Sequence, residues 1–394
     1  MRQKHILILG AGVYQVPLIK QAIESGHRVT VASYGDYPGM KIAHDVWHVD
    51  TTDRKKLLSL ARKHKIDAVT TTGTDVAIPA IGYLNERLGL PGVSFETALL
   101  TSDKIRMQRR FKDRRVPAAR FSECMTLNDA KSAGEEIGLP VIIKAPNSSG
   151  SRGITVVTSE DQMEEAFRSS KEIASGTAVL VEELLAGEEF GAQAVIVDGE
   201  MSAFLCHNDT VTPPPVTVPI GHSCPFRLSG NVQAEAQNVC AMAASALGIT
   251  NAVCNCDLIN TKRGVKILEI GARIGATGIP EIVLLHHGID LYRVALSFAL
   301  DEAPVLSFSA GPASAIRIIE APRTGRLVSY RSPEVLMRRR GVIAIDLDYT
   351  VGAPVRRFRV GPDRIGSVVV TAEDADAAEL FANSIIQELH IEVR

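Results

Sequence analysis

Short apolar runs alternate with helical patterns through the first hundred residues. The runs HILILG, HRVTVAS and IDAVTTT predict strands, because each is brief and largely apolar. The segments QVPLIKQAIESG and RKKLLSLARKH predict helices, the first with apolar positions at Val16, Ile19 and Ile23. Strands that alternate with helices in this way predict a parallel, doubly wound sheet over residues 1–100.

The turn after the first strand, GAGVYQ, matches a dinucleotide-binding fingerprint that lacks its last glycine. The second strand is followed by an acidic residue, Asp36, only after a further turn. Two alternatives stay open at this point. The turn belongs to an NAD(P) site, or Gly10 and Gly12 only allow the first strand and helix to pack tightly.

A second pattern begins at TSDKIRMQRRF, where Thr101 or Ser102 is expected to cap a helix that carries Lys104 in its first turn. The helix LNDAKSAGEEIG and the strand LPVIIK follow, and Lys144 ends that strand. The next loop either forms a polar hairpin tip or closes over a triphosphate, because its glycines let backbone amides approach phosphate oxygens. Its candidate binding residues are Ser148, Ser149, Gly150, Ser151, Arg152 and Gly153.

The segment TAVLVEELLAGEEFGAQAVIVDGE predicts two strands, the second ending in an Asp198-Gly199 turn. Surface solvation explains one or two of its clustered carboxylates, but a ribose hydroxyl would explain a fixed acceptor such as Glu189. The backbone between the strands is a candidate for binding an adenine edge. That candidate hinge consists of Glu182, Glu183, Leu184 and Leu185.

The segment NAVCNCDLINTKRGVKILEIGAR predicts a hairpin with its turn near residue 262. This register places Asn255 opposite Glu269 and puts Asp257 in a diagonal relation to Glu269, about 7–8 Å apart at Cα. Two such carboxylates suit Mg²⁺, which prefers oxygen ligands and bridges to nucleotide phosphates. The alternative is a pair of solvated carboxylates on an outer sheet face.

The segment CHNDTVTPPPVTVPIGHSCPFRLSG is rich in proline and has no sustained periodicity, which predicts a long functional loop. Its His222 is either a substrate-binding residue or a surface histidine without a role. From GPASAIRIIEAP onward, alternating strands and the closing helix DADAAELFANSIIQELH predict a small α+β domain. Arg317 in that domain is a further candidate for substrate binding.

Composition narrows the class of function. Lys and Arg number 43 against 45 Asp and Glu, so no global charge attracts nucleic acid or anionic lipid and small-molecule chemistry is favoured. The basic run at 105–116 is expected to be a solvated helix face.

No secretory segment and no apolar run of about 18 residues is evident in the sequence. The six cysteines include no C-x-x-C pair, which indicates reduced, buried thiols. We therefore expect a soluble, cytoplasmic protein.

The order of these motifs resembles the ATP-grasp superfamily, in particular the group that contains carbamoyl phosphate synthetase large subunit, biotin carboxylase and ATP-dependent amino-acid ligases. The resemblance rests on four features: Lys104, Lys144 before a Gly/Ser loop, the segment EELLAGEEF, and the paired carboxylates before GAR. It implies a mixed α/β and α+β architecture. Residues 1–100 would form a Rossmann-like domain, 101–305 the ATP-grasp domain with a lid at about 116–180, and 306–394 a C-terminal α+β domain.

The resemblance also implies roles for individual residues. Lys104 and Lys144 would bind ATP phosphates under the loop at 148–154, residues 182–185 would form the adenine hinge, and Glu189 would bind ribose. Asp257 and Glu269 would bind Mg²⁺, with Mn²⁺ as a substitute. Gly271 stands where the family usually has an asparagine ligand, so Asn255 or a water would complete the metal site. The implied catalytic residues are Lys144, Ser151, Arg152 and Arg273, and the implied substrate-binding residues are His222, Arg273 and Arg317.

The activity implied by the resemblance is an ADP-forming ligase. It would convert a carboxylate to an acyl phosphate and join it to an amine, with amino-acid or peptide-like substrates and a possible homodimeric assembly. Three alternatives stay open: a bicarbonate-activating carboxylase, an NAD(P)-dependent dehydrogenase based on GAGVYQ, and a non-catalytic module that senses ATP.

Overall fold

The computed structural model describes residues 2–146, 154–213 and 218–394. The strands are β1 (His5–Leu9), β2 (Arg28–Ser33), β3 (Asp45–His48), β4 (Ala68–Thr70), β5 (Phe121–Cys124), β6 (Val141–Lys144), β7 (Ile154–Val157), β8 (Val179–Glu183), β9 (Gly187–Val197), β10 (Glu200–Val211), β11 (Pro219–Cys224), β12 (Ala252–Thr261), β13 (Gly264–Gly271), β14 (Ala313–Ile319), β15 (Gly325–Ser329), β16 (Val342–Leu347), β17 (Pro354–Val355), β18 (Gly366–Ala372) and β19 (Glu392–Val393). The helices are α1 (Val16–Glu24), α2 (Arg54–His64), α3 (Ile78–Leu88), α4 (Phe95–Leu100), α5 (Lys104–Asp113), α6 (Leu127–Ile137), α7 (Met163–Ile173), α8 (Gly230–Ala246), α9 (Ile279–His287), α10 (Leu291–Ala299), α11 (Pro333–Leu336) and α12 (Ala375–Glu388).

The chain divides into two compact units. The first unit consists of Met1–Phe204, Ser229–Gly275 and Leu291–Leu306, and the second of Leu205–Leu228, Ala276–Asp290 and Ser307–Arg394. Strand β10 begins in the first unit and ends in the second. The domain boundaries expected after residues 100 and 305 stay predictions.

The first sheet of the first unit has the order β3-β2-β1-β4, and its neighbouring strands are parallel. This arrangement confirms the parallel, helix-alternating pattern expected for the N-terminal residues. In the turn after β1, the backbone N–H of Gly12 donates to Oε1 of Gln15 at 2.8 Å. A side chain at Gly10 would contact the same oxygen at 3.1 Å, and Gly10 has a φ of +96°. Close packing against Gln15 and a left-handed backbone therefore account for this turn.

A second, antiparallel sheet in the first unit has the order β5-β8-β6-β7. Helices α6 and α7 pack on it around a buried core that includes Val141, Ile143 and Val181. Because side chains alternate along a strand, Lys144 on β6 and Glu182 on β8 lie on the same face of this sheet. The fold thus brings two residues of the predicted site together.

Strands β13, β12 and β9 form a third antiparallel group in the first unit. Here the predicted register is wrong. Near the turn the strands already pair one residue beyond the predicted register, and a bulge between Asp257 and Leu258 adds a second residue, so that Asp257 lies directly opposite Glu269 and Asn255 lies opposite Gly271. The extra residue of a bulge cannot be read from an apolar pattern alone.

The second unit contains the end of β10 followed by β11, β14, β18 and β16 in one antiparallel order, and a small group β17-β15-β19. The expectation of a long loop over 206–230 is wrong, because β10 continues to Val211 and β11 spans Pro219–Cys224. Proline is tolerated at these points because Pro213 follows the end of β10 and Pro219 opens β11.

All six cysteines are free and buried, as the sequence predicted. Among the residues that the structure describes, no single helix is long and apolar enough to span a membrane.

Phe111 on α5 is fully buried in the core, so shortening its side chain should strongly lower the stability of the fold. We expect Phe111→Ala to lower the free energy of unfolding by about 3–5 kcal/mol, because it removes a buried ring and leaves a cavity. Urea unfolding followed by circular dichroism measures this change. Arg106→Ala, at an exposed position of the same helix, is the control and should change stability by less than about 0.5 kcal/mol. Equal effects of the two substitutions would contradict the packing of α5.

Candidate active site

Lys104 is the first residue of α5. The helix is capped by Asp103, whose side chain accepts from the backbone N–H groups of Ile105 and Arg106 at 3.0 and 3.1 Å. The expected cap at Thr101 or Ser102 is therefore wrong. Their hydroxyl groups instead donate to carbonyls of the preceding helix α4.

The ammonium group of Lys104 forms an ion pair with Glu269. The distance between Nζ and Oε1 is 3.0 Å, and 12% of the lysine side chain and 29% of the glutamate side chain are exposed. Burial alone lowers the pKa of Lys104, but the charge and hydrogen bond of Glu269, together with the charges of Asp75 and Glu182, outweigh burial and raise the pKa above its ordinary value. Lys104 thus stays cationic at this end of β13.

Lys144 forms a second buried ion pair, with Glu182. Its Nζ lies 2.5 Å from Oε2 of Glu182, whose other carboxylate oxygen, Oε1, has no hydrogen-bond partner among the described residues. A buried carboxylate oxygen without a donor is costly unless a ligand or water supplies one. This oxygen is therefore a place where a bound donor group would be stabilised.

The other predicted hinge residues have defined backbone partners. The N–H groups of Glu183 and Leu184 donate to the carbonyls of Arg120 and Pro140 at 2.9 and 3.3 Å. The Glu183 side chain forms ion pairs with Arg120 and Arg263. Leu185 follows directly, and contact of this segment with adenine stays a prediction.

Asp257 and Glu269 lie side by side on β12 and β13. The amide of Asn255 donates to Oδ1 of Asp257 at 3.0 Å, and its own oxygen accepts from Gln193 at 2.7 Å. Asn255 therefore orients Asp257 and is itself held in place, whereas the sequence had placed it opposite Glu269. Paired carboxylate oxygens beside a lysine are a donor set that fits Mg²⁺. The metal ligands stay predictions.

Arg273 follows β13 and forms a bidentate ion pair with Asp75. Its Nε donates to Oδ1 and its Nη2 to Oδ2, both at 2.7 Å. Burial raises the pKa of Asp75, but the charge and hydrogen bonds of Arg273, together with the charge of Lys104, outweigh that effect and bring the pKa below its ordinary value. Asp75 was not among the residues predicted from sequence, although its position shortly after β4, at the carboxyl edge of a parallel sheet, was a usable signal.

For two further groups of predicted residues, the structure gives no test of the predicted nucleotide contacts. Glu189 is exposed on β9 opposite Ile259, and its role with ribose stays a prediction. The loop residues lie outside the described part of the chain: Ser148, Ser149, Gly150, Ser151, Arg152 and Gly153.

In the second unit, His222 belongs to a cluster of two histidines and one aspartate. Nδ1 of His222 and Nδ1 of His207 lie 2.6 and 2.8 Å from the same oxygen, Oδ1 of Asp209. His222 is only 4% exposed, so the alternative of a surface histidine is wrong. Burial lowers the pKa of His222 although Asp209 opposes that shift.

The cluster has three potential metal ligands within 4.8 Å of one another. Its short contacts are already those of two N–H donors sharing a carboxylate. Nε2 of His207 is buried and has no hydrogen-bond partner in the described residues. We therefore regard the cluster as a hydrogen-bonded network.

Arg317 lies on β14 in the same unit. Its Nε donates to Oδ1 of Asn383 at 2.9 Å, and burial lowers its pKa. Substrate binding by His222 and Arg317 stays a prediction.

Comparison with known proteins identifies the family. The family described as carbamoyl-phosphate synthase L chain, ATP binding domain, matches residues 103–302, which is half of the chain. The chain belongs to this family. It is thus an ATP-grasp protein, and a second family, the L-amino acid ligase C-terminal domain 2, matches residues 317–394.

Individual relatives agree with this assignment. An L-arginine-specific L-amino acid ligase of Bacillus subtilis is 26% identical over 314 residues, which cover 77% of this chain and 75% of that protein. The crystal structure of a phosphoribosylglycinamide synthetase from Anaerococcus prevotii has a TM-score of 0.84 and 26% identity over 100% of both chains. An L-amino acid ligase from Bacillus licheniformis has a TM-score of 0.85 at 20% identity, also over 100% of both chains.

The prediction of an ATP-grasp ligase is therefore confirmed at the level of enzyme class and fold. The chain is an ATP-dependent, ADP-forming carboxylate–amine ligase whose cofactors are ATP and Mg²⁺. Its substrates are small molecules.

Two histidines of the second unit, His222 buried and His287 partly buried, predict loss of stability in acid. Burial lowers the pKa of His222, and burial with His286 and His207 lowers that of His287 to about 4. The unfolded chain takes up protons first as the pH falls below the ordinary value of 6.5. Their contribution to stability is therefore complete above pH 6.5 and is lost progressively towards about pH 4. Urea unfolding at a series of pH values measures this loss.

His287→Gln should make the free energy of unfolding less dependent on pH, because one of the two groups no longer titrates. His48→Gln, at an exposed position of β3, should leave the dependence as in the wild type. The same pH dependence in all three proteins would contradict this account.

Proposed function

We propose that the chain joins amino acids, or an amino acid and a related small acid or amine, through an acyl phosphate of one partner. The observation that carries the proposal is the set of paired charges in the first unit. Lys104 forms an ion pair with Glu269, and Asp257 lies directly opposite Glu269 on the neighbouring strand. The match of residues 317–394 to the L-amino acid ligase C-terminal domain supports amino acids as substrates. The Bacillus subtilis relative specific for L-arginine supports the same substrate class.

In the first step, an oxygen of the substrate carboxylate attacks the γ-phosphorus of ATP and ADP leaves. Negative charge builds up on the transferring phosphoryl group, and catalysis of this kind depends on positioning and neutralisation of charge. Lys104 and Lys144 are the cations proposed to neutralise it. Both stand beside a carboxylate that is mostly buried, so they are held before the nucleotide arrives.

In the second step, the amine attacks the carbonyl carbon and phosphate leaves with the oxygen that came from the carboxylate. The attacking nitrogen loses a proton in forming the amide. Arg273 is proposed to hold the acyl phosphate and the oxyanion of its tetrahedral successor, because a guanidinium group donates two parallel hydrogen bonds to such oxygens.

The residues present fit a magnesium ion. Asp257 and Glu269 would hold it, and Asn255 would keep Asp257 in orientation. When bound, Mg²⁺ supplies positive charge to the phosphate oxygens. Gly271 offers no side-chain ligand, so the chain's own contribution is the two carboxylates.

One specific observation favours a second candidate for the amine substrate. The phosphoribosylglycinamide synthetase from Anaerococcus prevotii is similar to this chain along its entire length at 26% identity. A phosphoribosyl-bearing amine is therefore the alternative to an amino acid as the attacking partner. A cytoplasmic location, in keeping with the six free cysteines, and a homodimeric state complete the proposal.

Product analysis tests the proposed reaction. With ATP, Mg²⁺ and pairs of amino acids or phosphoribosyl amines, we expect ADP and phosphate in equal amounts, released only when a carboxylate substrate is present. Hydroxylamine should trap the acyl phosphate as a hydroxamate, because an activated carbonyl reacts with any good nucleophile. Arg273→Ala should reduce the trapping rate by roughly 100-fold, as for loss of other oxyanion-stabilising donors. AMP as the stoichiometric product would contradict the mechanism.

A further inference from the structure

Arg273 has five N–H donors, and three of them are engaged in the first unit. Nε and Nη2 each donate to Asp75 at 2.7 Å, and Nη1 donates to the carbonyl of Ile274 at 3.2 Å. A guanidinium group carries one hydrogen on Nε and two on each terminal nitrogen. Among the described residues, one N–H on Nη1 and one on Nη2 are therefore left for a ligand.

Asp75 binds the guanidinium group of Arg273 along one edge only. Asp75 uses the edge formed by Nε and Nη2, and an acid that meets both terminal nitrogens would use a different edge. The side chains of Arg273 and Asp75 are only 14% and 18% exposed, so neither swings freely in solvent. The pair fixes the plane of the guanidinium group before a substrate binds.

Gly271 has a direct bearing on this pair. A Cβ built at residue 271 would lie 2.9 Å from Oδ1 of Asp75, closer than real Cβ contacts are found, and 3.6 Å from Nε of Arg273. A side chain at 271 and the present position of the Asp75 carboxylate therefore exclude each other. This explains in physical terms why the asparagine expected at this position from the resemblance is replaced by glycine.

We propose that Asp75 is a positioning residue that holds Arg273 by one edge and leaves one N–H on each of its two terminal nitrogens for the substrate carboxylate and the acyl phosphate, with Gly271 providing the space. The inference rests on the proposed function of Arg273. It adds a residue from the loop after β4 to a site otherwise built from α5, β6, β12 and β13.

The pairing also sets how anions are recognised. With Asp75 beside it, Arg273 contributes directed hydrogen bonds rather than a full uncompensated charge. Loss of the carboxylate would leave the charge of Arg273 but not its orientation. The expected defect is therefore in binding and turnover of the carboxylate substrate and not in ATP binding.

The test compares five variants in the hydroxamate assay, one of them the conservative Asp75→Glu, with the wild-type reaction as reference. Asp75→Asn removes the carboxylate. Gly271→Ala is expected to displace that carboxylate while both residues of the pair, Asp75 and Arg273, are kept. Asp161→Asn and Gly230→Ala are the matched controls, because Asp161 is exposed and an added Cβ at Gly230 meets nothing within 4 Å. The constants compared are KM for the carboxylate, KM for ATP and kcat, with thermal unfolding as a check of folding.

We expect Asp75→Asn and Gly271→Ala each to raise KM for the carboxylate or lower kcat for trapping by about tenfold or more, while KM for ATP changes by less than about twofold. Asp75→Glu should recover part of the loss, because it restores a carboxylate. Both controls should behave as the wild type. If Asp75→Asn folds, but its carboxylate KM and trapping rate match the controls, the inference is overturned. An equal rise in both KM values would also overturn it, since that is the mark of a general structural defect.

Failure of the inference can be separated from failure of the proposed function. If the wild-type protein forms ADP and hydroxamate with a carboxylate substrate, the proposed function stands whatever the Asp75 variants do. If the wild type forms neither with amino acids or phosphoribosyl amines, the proposed function fails, and with it the role of Arg273 on which Asp75 depends.

Discussion

Burial of charge is the constraint on which the first unit depends. Lys104, Lys144 and Arg273 are each mostly buried, and each meets a carboxylate contributed by another element: Glu269, Glu182 and Asp75. Removing one partner of such a pair leaves an uncompensated buried charge and commonly costs about 3–5 kcal/mol. The sheets must therefore form in the register that closes all three pairs. In the proposed mechanism the same pairs hold three cations ready for phosphate and carboxylate oxygens, so the requirement for stability and the proposed requirement for chemistry coincide.

Much of the fold could be predicted from periodicity, because long amphipathic and apolar segments determine their own secondary structure. The parallel N-terminal sheet, the helix beginning at Lys104 and the strand ending at Lys144 are of this kind. What failed were details set by local geometry. The position of the turn and the bulge at Asp257 each moved the hairpin register by one residue, and the helix cap fell on Asp103 because Thr101 and Ser102 donate back to α4.

Contacts between residues distant in sequence were the other limit. The proline-rich segment around His222 has no alternating pattern, yet it forms strands, because pairing with neighbouring strands supplies the hydrogen bonds that local propensity does not. Asp75 and Arg273 are 198 residues apart, about half of the chain, and no spacing rule connects them. Family resemblance located Lys104, Lys144, Asp257, Glu269 and Arg273, but only the structure places an acid beside Arg273 and explains the glycine at 271.

The central claim is that a carboxylate oxygen is joined to the γ-phosphoryl group of ATP before the amide forms. A substrate labelled with ¹⁸O in its carboxylate tests this directly, because departure of phosphate from the acyl phosphate carries one carboxylate oxygen with it. Mass spectrometry of the products should find one ¹⁸O atom in each inorganic phosphate and none in the nucleotide. Label in AMP would reveal an adenylate, and unlabelled phosphate would reveal simple hydrolysis of ATP. Either result would contradict the account.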